Sequence, residues 1–96
     1  MLSSSASASN GVNMQILRME SVKAITGHKS HASIYNAIRD GLFTRPVPIG
    51  SRAVGWPDYE VQAICQARIA GWEDTEIKKL VFEMHEKREQ TKVWQG

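Results

Sequence analysis

Ninety-six residues with a formal net charge of +2 make one small domain at most, and a core of that size contributes only ~3–5 kcal/mol net, which argues against a deep enzyme pocket. The single cysteine, Cys65, excludes an internal disulfide and fits a reducing cytosol. No apolar run approaches the roughly 18 residues of a membrane span, and positions 1–11 lack the basic start and apolar centre of a signal peptide.

Positions 1–14 are rich in Ser, Ala and Asn and carry no charge. They hold too little apolar surface to offset the entropy of ordering, so a disordered tail is expected, with the domain running from 15 to 96. Ile16-Leu17-Arg18-Met19 reads as a very short strand leading into a helix over about 20–26. Met19, Val22 and Ile25 recur every third residue as its apolar face, and Gly27 is placed to end it in the left-handed region.

His28-Lys29 then forms a turn, and Ser30 is suited to cap a second helix over about 30–40 by accepting from a free backbone N–H. Ile34, Ala37 and Ile38 make its buried stripe, with the Tyr35 ring flanking it and the hydroxyl outward. The other face presents His31, Ser33, Asn36 and Asp40, with Arg39 nearby. Such side chains donate and accept hydrogen bonds without dense charge, which is what reading the edges of bases requires.

Leu42 and Phe43 return the chain to the core. Pro46-Val47-Pro48-Ile49 alternates proline with apolar residues; proline cannot donate to a ladder, so this is an edge strand. Gly50-Ser51 matches a two-residue type II′ turn, and Arg52-Ala53-Val54-Gly55 returns from it, so a hairpin wing spans 46–55 with Arg45 at its base and Arg52 beside its tip. Trp56 is the expected anchor of this hairpin on the helices. Pro57 suits the first position of a third helix over 57–70, and Ala67 to Ile69 add to its apolar contacts. Trp72 is expected to lock the next corner as a second core anchor. A fourth helix over 74–90 carries the stripe Ile77, Leu80, Val81, Met84, and Trp94 beyond it caps the core or meets another chain.

Charge is unevenly placed. Between positions 15 and 56, Arg18, Lys23, Lys29, Arg39, Arg45 and Arg52 stand against Glu20 and Asp40, a surplus of +4; from 57 onward six basic residues face eight acidic ones, or −2. Positive charge is thus concentrated in the two short helices and the hairpin, where phosphates would be met. Neither His28, His31, Cys65 and His85 nor any other set has the ligand spacing of a metal site, and no nucleophile–base pair comes with an oxyanion or pocket motif. No cofactor, metal or catalytic residue is expected.

Leu17-Arg18-Met19 before Val22, then Thr26-Gly27, Ser33-Ile34-Tyr35, Gly41 with Phe43, Pro46-Val47, Gly50, Arg52, Trp56 and Glu60-Val61 occur in an order and spacing that resembles the AlpA family of phage and integrative-element regulators. The likeness covers roughly residues 16 to 70. It implies a MerR-like or excisionase-like winged helix-turn-helix, with DNA contacts from the second helix and the wing arginine, here Arg52. Three departures stand out: Thr44 where a proline after the Phe is common, Ile64 where a second Trp is common, and a turn from Gly27 to Ile34 that is one residue longer. The longer turn shifts the start of the recognition helix, so base contacts are placed from helical geometry.

The expected fold is mostly α, a small winged helix-turn-helix domain with a two-stranded β-hairpin wing and two C-terminal helices. The expected function is a sequence-specific binder of double-stranded DNA acting as a transcriptional regulator, as an excisionase of a prophage or integrative element, or as both. Its DNA-contacting residues would be Lys29, Ser30, His31, Ser33, Asn36, Arg39, Arg45, Ser51 and Arg52. A homodimer or cooperative array on DNA, and an integrase, are the expected partners, in the bacterial cytoplasm and without a membrane. The alternative is a protein-interaction module that binds a partner through its C-terminal helix and does not bind DNA.

Overall fold

Residues 14–94 are described by the computed structural model, with side chains to residue 90. The expected N-terminal tail, apart from an exposed Met14, and the side chain of Trp94 lie outside the described residues. The elements run β1 (Ile16–Leu17), α1 (Met19–Thr26), α2 (His31–Arg39), β2 (Val47–Pro48), β3 (Val54–Pro57), α3 (Asp58–Ile69) and α4 (Asp74–Trp94). Each expected helix is present with its ends moved by a residue or so, except α4, which continues past position 90. No Gly or Pro interrupts the chain there before residue 96.

Four helices and a small antiparallel sheet make the mostly α, winged helix-turn-helix arrangement. The sheet has three strands in the order β1-β3-β2, because the short strand before α1 adds to the hairpin. Leu17 lies opposite Trp56 and Ile16 opposite Pro57, while Val47 pairs with Gly55 and Pro48 with Val54. A two-stranded hairpin alone is marginal in water; the third strand and the helices beneath support it. The proline-containing β2 sits at the edge, where a missing N–H leaves no gap in the ladder. Gly55 is where β1 comes closest. A Cβ there would collide with Ile16 Cγ2 and stand 2.9 Å from the Leu17 carbonyl oxygen, so the strand pairing needs glycine.

Two local expectations are corrected. The wing turn is not a two-residue type II′ turn: Ile49 N–H donates to Ala53 C=O at 2.9 Å, leaving Gly50, Ser51 and Arg52 between them, and Gly50 does not take the positive φ that type II′ demands. Pro57 is not the first helical residue. It ends β3 and caps α3, because the Asp58 N–H still donates to the Gln15 carbonyl at 2.8 Å and holds the chain in the sheet.

The core is built from Val22, Ile34, Phe43, Trp56, Val61, Ile64, Ala67, Ile77 and Val81. Trp56 is its largest member and is fully buried. Its indole N–H donates to the Thr44 carbonyl at 2.8 Å, and its ring meets Phe43 and Tyr35 at centroid distances of 6.2 and 6.5 Å. This one side chain thereby joins β3, α2 and the segment leading into the wing. Trp72 is not a second anchor: it is 43% exposed. It follows the turn that closes α3, where Gly71 N–H and Trp72 N–H reach back to Arg68 and Ala67 C=O, and that reversal carries the indole over the surface beside Leu80. Ile69, 85% exposed, and Ile25 likewise point to solvent rather than inward.

Candidate nucleic-acid interface

The turn between α1 and α2 is built by three short-range devices. Gly27 closes α1 at φ 81°, a left-handed conformation that side chains with a Cβ rarely adopt. Ser30, with φ −145° and ψ 163°, caps α2, its hydroxyl accepting the Ser33 N–H at 3.1 Å. His28 Nδ1 stands 2.5 Å from the Ser33 hydroxyl, and its ring meets Phe43 edge-on at 6.4 Å. His28 thus braces the first turn of α2 against the core. Ser33 is half-buried and its hydroxyl is engaged in this brace.

Along α2, Ile34 is fully buried and Ala37 and Ile38 lean on the core. His31, Ala32, Tyr35, Asn36 and Arg39 are exposed. Positions 32, 36 and 39 recur at helical spacing and form one outward ridge, with Tyr35 along its side at 44% exposure. Ala32 and the exposed part of the Tyr35 ring belong to that surface and were not among the expected site residues. An apolar stripe and a polar stripe leave the exposure of residues on their border to the tertiary contacts. Asn36 Oδ1 accepts from Arg39 Nη1 at 3.2 Å, and Arg39 Nε donates to Asp40 at 3.2 Å, so Arg39 is drawn along the helix by two neighbours.

Glu20 on α1 is a further residue that was not among the expected site residues. Its carboxylate lies 3.5 Å from both His31 Nε2 and Lys23 Nζ. The hydrogen bond from His31, then the charge and hydrogen bond of Lys23, hold its pKa below the ordinary carboxylate value. An anion therefore sits beside the first turn of α2 at neutral pH and offsets part of the local positive charge.

In the wing, Gly50, Ser51 and Arg52 form the exposed tip. Lys29 and Arg52 make no ion pair among the described residues and keep their charge available to an outside anion. Arg45 is differently placed. Its backbone N–H donates to His85 Nε2 at 3.1 Å, and its carbonyl accepts from Arg88 Nη2 at 2.9 Å, both from α4. The expected site residues thus fall into three groups. The first is the α2 N-terminus with His28 and Glu20, the second the Asn36-Arg39-Asp40 run, and the third the wing tip. Arg45 is tied to α4 instead. Among the described residues no hydrogen bond or ion pair links these groups to one another.

Reactive chemistry finds little support in these side chains. Partial burial raises the pKa of Cys65, and its thiol lies 3.8 Å from the Ile25 carbonyl, so little thiolate forms at neutral pH. Among the described residues no group of three or more His, Cys, Asp or Glu could hold a metal ion, and no helix is long and apolar enough to cross a membrane.

Residues 15–69 match the family model described as the prophage CP4-57 regulatory protein, AlpA. No curated protein and no solved structure gives a significant match. The matched span takes in both helices of the helix-turn-helix, the whole sheet and α3, leaving α4 alone of the described elements beyond it. The chain belongs to the AlpA family of prophage regulatory proteins.

Proposed function

We propose that this protein binds double-stranded DNA in a sequence-specific manner and acts as a transcriptional regulator or excisionase of a prophage or integrative element. The observation that carries this reading is the polar outer ridge of α2 beside a wing whose tip arginine has no ion-pair partner among the described residues. The α2 ridge enters the major groove, where Asn36 meets base edges once Arg39 turns from it to a phosphate. Arg52 reaches backbone or minor groove from the wing, and Lys29, Ser30 and His31 meet phosphates at the N-terminus of α2, where free N–H groups and the helix dipole favour anions. A single module of this size has a small interface, so stable binding uses adjacent copies or a dimer. An excisionase role further requires that those copies bend or bridge DNA beside an integrase.

A gel shift with fragments flanking the gene's own element, run over a series of salt concentrations, tests this. Retardation that weakens steeply with salt supports it; no retardation at low salt ends it. One observation favours a protein-binding role for α4 instead. Phe82 is 63% exposed on the side of α4 away from the core, and a groove of about 660 Å³ lined by Tyr59, Ala63, Leu80 and Met84 runs between α3 and α4. If that role is the whole function, Phe82→Ala abolishes activity in the cell while DNA binding is absent from the start.

A further inference from the structure

α4 lies beyond the family-matching span, yet it reaches back to the foot of the wing. Arg45 is the residue before Pro46, and Pro46 is the last residue before β2. Both polar groups of Arg45's backbone are taken by α4 side chains: the N–H by His85 Nε2 and the C=O by Arg88 Nη2. His85 and Arg88 are three positions apart and share a helix face. Arg88 is itself fixed from below, because its guanidinium forks onto the buried carboxylate of Glu60 on α3, with Nε to Oε2 at 3.0 Å and Nη2 to Oε1 at 2.5 Å. Pro46 has a locked φ and no N–H. A shift at Arg45 therefore passes into β2 rather than being absorbed before it. We infer that His85 and Arg88 are positioning residues of the wing, gripping the backbone of Arg45 so that the wing is held in one place only while His85 is neutral.

The proposal rests on the reading of the wing as a DNA contact. The lone pair on Nε2 that accepts the Arg45 N–H is the one a second proton would occupy, so protonation turns an acceptor into a donor facing a donor. In the neutral ring the hydrogen is on Nδ1, and Arg45 Nη1 stands 3.4 Å from that atom, a meeting of two donors that leaves the guanidinium free to turn to a phosphate. Arg45 from the wing segment, Arg88 from α4 and Glu60 from α3 are the charged groups around the ring, two cations against one carboxylate already forked by Arg88. Burial first, then Arg45 and Arg88, lower the pKa of His85 from its ordinary 6.5. The sign follows: the grip is complete above the ordinary histidine value and is lost as pH falls through the lowered one.

Amide spectra of the free, full-length protein between about pH 8 and about pH 5, for wild type, His85→Gln and His85→Ala, test the grip. Gln presents an acceptor oxygen that does not titrate. The amides of Arg45, Val47 and Gly55 are expected to shift together with the His85 ring in the wild type, to stay in place in His85→Gln and to be displaced at every pH in His85→Ala. Wing amides that move as much in His85→Gln, or that follow His28 or His31 instead, overturn the inference. In a second arm, anisotropy with the fragment that gives the strongest gel shift measures affinity over the same range. Wild-type affinity is expected to fall several-fold on acidification, against the gain that extra positive charge would bring, and His85→Gln is expected to hold its affinity. An equal loss in His85→Gln overturns the proposal. If no variant binds DNA at any pH, the DNA reading fails, and the spectra alone decide whether the grip exists.

Discussion

Thr44 is the residue whose environment is least satisfied. It is fully buried, its carbonyl holds the Trp56 indole, and its hydroxyl has no partner among the described residues. Desolvating a hydroxyl without a bond to replace water is unfavourable, whereas valine has the same branched shape and no such demand. Thr44→Val is expected to stabilise the protein by about 1 kcal/mol, read as a higher urea midpoint at unchanged slope; a lower midpoint would mean the hydroxyl is satisfied after all. At the surface, residues of similar polarity should divide by role. On the proposed DNA reading Arg52 meets a phosphate, so Arg52→Ala is expected to weaken binding alike on all fragments, with the salt slope reduced by about 1. Asn36→Ala is expected to change the ranking of fragments by about 1–3 kcal/mol. Competition binding on matched and mutated sites separates the two, and equal losses on every site would remove Asn36 from base reading.

At the scale of elements, α2 is a nine-residue helix that would not persist alone. It is held by Ile34 in the core, the Ser30 cap, and the His28 brace on Ser33. Ser30→Ala is expected to lower stability by about 1 kcal/mol, with Ser30→Gly closer to wild type, and thermal melting of both checks it. Ala as mild as Gly would show that the cap contributes little. The helix, its cap and its buried stripe were legible in the sequence because all three rest on contacts within a few residues. The brace was not: His28 and Ser33 are five apart and meet through the bend at the extended Ser30, where the chain enters α2. The wing turn failed for a related reason. Gly50-Ser51 is compatible with a two-residue turn, but the register of β2 on β3 leaves three residues at the tip, and that register answers to β1 and Trp56 as well.

For the whole molecule, the Glu60–Arg88 pair ties α3 to α4 and, through the Arg45 carbonyl, to the wing. Glu60 is almost fully buried and Arg88 mostly so. Losing one partner strands the other, so Glu60→Leu is expected to cost about 3–5 kcal/mol, while Glu60→Leu combined with Arg88→Met recovers most of that. Denaturant midpoints of the two singles and the double close the cycle; additive losses would mean the pair is not coupled.

Local patterns, read from the residues alone, determined the four helices, the edge strand with its prolines, the αL glycine before α2, Trp56 as a core anchor, and the concentration of positive charge in the first half of the domain. Each depends on side-chain chemistry or spacing within about two helical turns, and so is present before the chain folds. Only tertiary structure decided that the strand before α1 completes a three-stranded sheet, that Trp72 and Ile69 face outward, that Glu20 sits against His31, and that α4 grips Arg45. Those outcomes join residues distant in sequence, and for such pairs neither periodicity nor composition specifies which side chain lies within reach of which.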